Sequence, residues 1–329
     1  MKVESLLYEK IGSKVKCNTC SRYCIIDNNK HGFCNIRKNI NETLYSFNSI
    51  SGVNVDHIEK KPLYHFFPSS LSYSVGSFSC NFACLNCQNY TIAKEFHGLN
   101  DKVNISPERV VENAINSECR SIAWTYNEPT MHLEYMLETS YIACKNNLKN
   151  VFISNGYMSD ESLDLLLPVV DAFNIDLKAM SQEFYKNVAN AELEPVLNNL
   201  KKIYNNKIHL EITNLLISGL NTSDKSIEDL VNFVISNLGD DVPLHFSRFY
   251  PCYKMENRKA TSIEDMVNAQ EIAINLGMKH VYLGNVNTDQ NSYCPNCGEL
   301  LFQRSNYHTI SKIKNNKCLS CGEKLNFVL

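Results

Sequence analysis

The sequence predicts an α/β protein built of repeated strand–helix units around a parallel sheet, with a smaller cysteine-rich module at each end. Three observations lead there. Short β-branched apolar runs alternate with amphipathic segments from about residue 72 to residue 286. Most of the cysteines fall in groups before, within and after that region. Polar motifs recur where successive strands should end. The expected organisation is therefore a metal module and lead-in over 1–70, the strand–helix body over 71–288, and a zinc-ribbon-like module over 289–329.

The strands expected in the body are 72–78, 121–126, 150–154, 172–177, 208–214, 243–249 and 280–284. Helices are marked by their caps. Ser106-Pro107-Glu108 puts a capping serine before a proline at the first turn, and Thr261-Ser262-Ile263-Glu264 has capping-box spacing. Apolar spacing over 106–117, 131–145, 224–238 and 262–276 fits one buried helix face.

Composition sets limits on the function. The 329 residues are 44% hydrophobic and 20% charged, an ordinary globular balance. A net charge of −3 gives no protein-wide basic field for nucleic acid. Residues 1–40, with eight Lys/Arg against three Asp/Glu, and 294–329, with five against two, are local exceptions that hint at an anionic partner. No apolar run reaches the roughly 20 residues that span a bilayer, so no membrane partner is expected. Fourteen cysteines in a long chain that opens Met-Lys-Val-Glu-Ser, grouped at metal-ligand spacings, point to a reducing cytoplasm rather than to disulfides.

The central group, Cys80, Cys84 and Cys87, is spaced CxxxCxxC with no local fourth cysteine. A [4Fe–4S] cluster ordinarily takes four thiolates. Three would leave one iron open to a chelating molecule, and the amino and carboxylate groups of S-adenosylmethionine (SAM) suit it. This resembles the signature of radical-SAM enzymes. In these, an electron from the cluster breaks the C5′–S bond of SAM and gives methionine and a 5′-deoxyadenosyl radical.

The last group, Cys294, Cys297, Cys318 and Cys321, forms two CxxCG knuckles twenty residues apart, as in a zinc ribbon. Four thiolates close a zinc to substrate, so a folding staple or docking surface is expected. Cys17, Cys20, Cys24 and Cys34 have the count for another metal site but an irregular spacing. They could hold a structural zinc or a further [4Fe–4S] cluster that relays electrons or contacts substrate. Cys252, just after a strand end, stands out among the isolated cysteines.

A barrel of strand–helix units concentrates its chemistry at the C-terminal strand ends. The residues expected there toward SAM are Asn127, Glu128, Asn155, Gly156, Asp176, Lys178 and His245. Glu128 could accept from the methionine ammonium and Lys178 offset its carboxylate. Asn155 and Gly156 would let the backbone approach the ligand. His245 could bond the ribose or sulfonium end, or be structural. Glu59-Lys60-Lys61 reads as a solvated loop, or else borders the barrel mouth with Tyr64 and His65.

Residues 17–38, the stretch Asp56 to Phe66, CNFACLNCQN, TYNEPT, ISNGY, DLKA, HFSRFYPCYKM, YLGNV and CPNCG together resemble the radical-SAM component of the AmmeMemoRadiSam system. That component is related to pyruvate formate-lyase activating enzymes. The resemblance runs nearly the whole chain. It implies a partial (β/α)6 radical-SAM barrel, a SAM-bound [4Fe–4S] cluster, and two other proteins of that system as partners. An electron donor such as flavodoxin or ferredoxin is also expected. There are departures. An aromatic usually precedes the third cluster cysteine, where this chain has Asn86. The Asp that activating enzymes use near a cation site is Ile153 here, so that site is not carried over. Residues 88–105 are not the ferredoxin-like insertion of some activases. The expected function is radical-SAM chemistry on an unidentified substrate. The alternatives are an activase that forms a glycyl radical on a partner and an RNA-binding or tRNA-modifying metalloprotein.

Overall fold

The computed structural model describes residues 2–47, 49–96, 104–305 and 308–329. Its centre is an eight-stranded sheet in which every strand lies beside its neighbour in sequence. The strands are β1 (Ile50–His57), β2 (Leu71–Ser77), β3 (Ser121–Thr125), β4 (Lys149–Ser154), β5 (Ala172–Asp176), β6 (His209–Leu216), β7 (Leu244–Arg248) and β8 (Val281–Gly284). β1 pairs antiparallel with β2, and β2 through β8 are parallel. Each of the seven expected strands is present within two residues. The antiparallel β1 was not expected, because its sequence ISGVNVDH breaks the apolar run with glycine and polar residues.

The helices joining the parallel strands are α1 (Pro107–Asn116), α2 (Leu133–Lys145), α3 (Asp160–Leu166), α4 (Glu194–Asn205), α5 (Asp224–Leu238) and α6 (Ile263–Asn275). Ser106 caps α1 by accepting from the Arg109 amide at 3.3 Å, ahead of the expected proline. At α6 the cap is Ser262, which accepts from the Asp265 amide. Thr261, expected in a capping box, instead donates its hydroxyl to the Leu216 carbonyl. The stretch 88–105 is described only in part, since 97–103 lie outside the described residues.

Strand alternation sorts the side chains between two faces. On one, Ile122, Trp124, Phe152, Phe173 and Ile175 join the large core under the helices. On the other, Ala123, Val151 and Ala172 pack against Ile58, Leu63, Phe66 and Phe67. Residues 58–70, between β1 and β2, therefore fill the concave side, and the sheet curls around them from β3 to β8. The solvated-loop reading of Glu59-Lys60-Lys61 fails at Lys61, which is buried and bonded to Asp56 at 2.8 Å. Asp56 also accepts from Ser74 and Tyr126. Burial pushes the Asp56 carboxyl up, but Lys61 outweighs it and holds the group down at about 2.

Two small sheets make up the amino-terminal region, Lys2–Glu4 with Arg37–Ile40 and Thr43–Phe47, and Tyr8–Ile11 with Lys14–Cys17 and Ile25–Ile26. A buried ion pair ties them to α2. Arg37 meets both oxygens of Glu134, at 2.8 and 3.0 Å, with side-chain exposures of 1% and 9%. At the other end, short antiparallel strands carry the four late cysteines. Beyond them the chain returns to the concave side. Val328 donates to the His65 carbonyl at 2.8 Å, and its own carbonyl accepts from Phe67 at 2.7 Å.

Candidate functional site

The loop that carries Cys80, Cys84 and Cys87 leaves β2 at its C-terminal end, and the next strand ends hold it. Asn127, just past β3, accepts from the Ser77 amide at 3.0 Å and donates to the Ser79 carbonyl at 2.6 Å. Asn155, just past β4, donates to Asn81 Oδ1 at 2.8 Å and lies 3.7 Å from Cys80 Sγ. The Phe82 amide points at the same sulfur at 3.3 Å. Such N–H···S contacts tune an iron–sulfur cluster.

Glu128 is buried and accepts from the Thr130 amide and hydroxyl, the Ser154 hydroxyl and the Asn155 amide. Its oxygens orient the turn that carries Asn155. Gly156 has φ +72°, and a Cβ there would stand 2.9 Å from Ile175 Cγ2, so both backbone and packing require glycine. Asp176 at the end of β5 pairs with Lys178 at 2.9 Å. Burial alone would lower the lysine, but Asp176 and the neighbouring Cys84 outweigh it and keep it protonated.

Burial pushes the Cys80 thiol up to about 12, with Glu128 adding to the rise. It pushes Cys84 and Cys87 up to about 11, opposed by Lys178. Binding a metal would draw off those protons. Two residues the sequence did not single out complete the surround. Lys94 donates to the Cys80 carbonyl at 2.8 Å. Arg22, from the amino-terminal region, donates to the carbonyls of Asn81 and Asn190. No local pattern marks either, since each meets the loop only through the fold. Cys252 does belong here: its thiol lies 3.2 Å from the Asn86 carbonyl, and Tyr253 stacks on Tyr90.

Beside the loop, over the ends of β6 to β8, opens a cavity of about 1020 Å³ lined by Gln88, Thr213, His245, Arg248, Tyr250 and Arg304, among others. His245 donates toward Glu211 at 2.6 Å and stacks on Tyr282. Glu211 is fully buried and also accepts from His209 and from the amides of Tyr64 and His65. Burial would raise its carboxyl, but the two histidines hold it well below the usual range. Arg304 reaches in from the carboxy-terminal module to the Tyr64 carbonyl at 2.8 Å.

At that module, Cys294 faces Cys321 at 3.6 Å and Cys297 faces Cys318 at 3.7 Å. Among the described residues only this set brings its ligand atoms all within 4.8 Å of one another. Gly298 and Gly322, each with positive φ, donate back to Cys294 and Cys318 in two matching knuckles. Cys17, Cys20, Cys24 and Cys34 line one pocket in the amino-terminal region.

Parallel strands in chain order carry a three-cysteine loop at their C-terminal ends, a donor set that fits an iron–sulfur cluster. The comparisons agree. Residues 75–234 match the model of the Radical SAM superfamily. An uncharacterized protein of Methanocaldococcus jannaschii is 43% identical over 99% of both chains. The 4-hydroxyphenylacetate decarboxylase activating enzyme of Clostridioides difficile is 23% identical over 35% of this chain and 37% of its own. The fold is similar to a radical SAM methyltransferase from Sphaerobacter thermophilus, with a TM-score of 0.52 and 14% identity over 71% of each chain. Residues 75–234 are thus a radical SAM domain, and the chain is a radical-SAM enzyme. The family implies a [4Fe–4S] cluster and SAM. Among the described residues no helix is long and apolar enough to cross a membrane.

Proposed function

We propose that the chain is the radical-SAM component of an AmmeMemoRadiSam-type system and acts on a small substrate held in the cavity over β6 to β8. The motif set read from the sequence supports the system, and the observation that carries the substrate's place is the adjacency of that cavity to the three-cysteine loop: Gln88, next to Cys87, is part of its wall. Cys80, Cys84 and Cys87 would hold the cluster, and the cluster with SAM supplies reductive cleavage to methionine and a 5′-deoxyadenosyl radical. Asn155 then orients the Cys80 side, and Asp176 and Lys178 offer opposite charges to the zwitterionic methionine end of SAM. Glu128 holds the turn that presents Asn155, and Asn127 holds the start of the loop that carries the three cysteines. The buried Asn86 Oδ1 has no partner in the protein, which suits a site completed by a ligand. His245, anchored by Glu211, borders the substrate space.

The carboxy-terminal cysteines would hold zinc, whose thiolates stand about 3.8 Å apart when each Zn–S bond is about 2.3 Å. The Clostridioides difficile relative keeps an activase reading in view, with a glycyl-radical protein as substrate. One experiment separates these. The protein is reconstituted anaerobically, reduced, and assayed for 5′-deoxyadenosine with EPR before and after SAM. A SAM-shifted signal with 5′-deoxyadenosine formed supports the reading, and a cluster indifferent to SAM refutes it. Activation of a glycyl-radical protein, seen as its doublet EPR signal, would favour the activase.

A further inference from the structure

The amino-terminal cysteines are arranged differently from the carboxy-terminal ones. Cys17, Cys20, Cys24 and Cys34 all line one pocket, yet no three of their sulfurs lie within 4.8 Å of one another. A single tetrahedral ion needs sulfurs about 3.8 Å apart. A cluster that places a different iron under each thiolate needs them farther apart, and Cys80, Cys84 and Cys87 likewise do not all come within 4.8 Å of one another.

The pocket also carries charge suited to an anionic centre. Four thiolates on a [4Fe–4S]²⁺ core leave a net charge of about −2. Arg37, 1% exposed, lines the pocket; its terminal nitrogens pair with Glu134, and its Nε has no hydrogen-bond partner. Arg22 also lines it, stacked 3.6 Å over Phe33, with Lys94 on the same ring at 4.3 Å. Lys94 then reaches the Cys80 carbonyl. Ser79, next to Cys80, donates to the Cys34 carbonyl at 2.5 Å, and Asn81 lines the pocket itself. The two cysteine groups thus share a wall.

We propose that Cys17, Cys20, Cys24 and Cys34 hold a second iron–sulfur cluster that passes single electrons to the one on Cys80, Cys84 and Cys87. The proposal rests on the radical-SAM reading of Cys80, Cys84 and Cys87 above. The transfer makes and breaks no covalent bond. A reduced one-electron carrier protein loses one electron as the amino-terminal cluster goes from 2+ to 1+, and that cluster returns to 2+ as its neighbour is reduced.

The test uses the full chain, reconstituted anaerobically with iron and sulfide. A Cys80→Ala/Cys84→Ala/Cys87→Ala variant should keep about four iron and about four sulfide per chain, with a reduced EPR signal that SAM does not shift. Adding Cys20→Ala/Cys24→Ala should remove both. A folded triple variant without iron, whether zinc is about two per chain or lower, overturns the proposal. If the triple variant does not fold, Mössbauer spectra of the unmodified chain decide. About eight irons in two populations, one of them perturbed by SAM, is the expected result, and a single population of about four overturns it. For the relay, freeze-quench EPR should show reduction of the SAM-responsive cluster by reduced flavodoxin slowing about tenfold in Cys20→Ala/Cys24→Ala. An unchanged rate removes the electron-transfer role.

Discussion

Replacing Glu211 with glutamine tests whether one buried carboxylate joins the inner segment to the sheet. Oε1 accepts from the His65 amide at 2.8 Å and His209 at 3.0 Å, and Oε2 from the Tyr64 amide at 3.0 Å and His245 at 2.6 Å. Whichever oxygen becomes an NH₂ group, one backbone amide and one histidine face a donor. The histidine can turn its ring nitrogen into an acceptor by changing tautomer, but the amide cannot. An orphaned buried amide costs about 1–3 kcal/mol, and the bonds that remain lose charge assistance worth about 1 kcal/mol each. Glu211→Gln should therefore destabilise the chain by about 4 kcal/mol. The assay is amide hydrogen exchange at Tyr64 and His65, alongside thermal unfolding. Exchange there should accelerate by about a thousandfold. Unchanged protection at both amides, with an unchanged melting temperature, would refute the reasoning.

Three further outcomes follow from other contacts. Gly156→Ala should destabilise by about 2 kcal/mol in urea unfolding, because its positive φ and the 2.9 Å approach to Ile175 both oppose a Cβ. Arg37→Ala leaves the Glu134 carboxylate buried without its partner. It should lose about 3–5 kcal/mol in thermal unfolding and expose the first 47 residues to limited proteolysis. Stability should also fall as pH drops from 6.5 toward 4. Burial lowers His132 and His280 from 6.5 to about 4, so the unfolded chain binds protons there that the folded chain refuses. Each can remove up to about 3 kcal/mol, and chemical denaturation at a series of pH values reads the slope.

Much of the fold was legible because its signals are local. The seven parallel strands stood out as apolar runs, and the cysteine groups as spacings within a few residues. The inner segment was not legible. Lys61 looks solvated in sequence, and it is buried only because Asp56, Ser74 and Tyr126 build it a charge partner from three different strand regions. The strand-end residues were found by position, but their partners were not. Glu128 serves Asn155 across 27 positions of chain, and Arg22 reaches Asn81 across 59. No period or motif encodes contacts of that range.

The bonds from Val328 to His65 and Phe67 also set an order of events during synthesis. A ribosome makes residues 58–70 early, and helices and strands can assemble around them as each unit emerges. Asp56 and Glu211 can hold the segment that floors the cavity first, and its bonds to residue 328 form only when that residue arrives, some 260 positions later. A nascent chain stalled in the carboxy-terminal module would carry Cys80, Cys84 and Cys87 beside a floor held by Glu211 but not yet by Val328. The last tie on the floor of the cavity is thus made only after every strand of the central sheet has been synthesised.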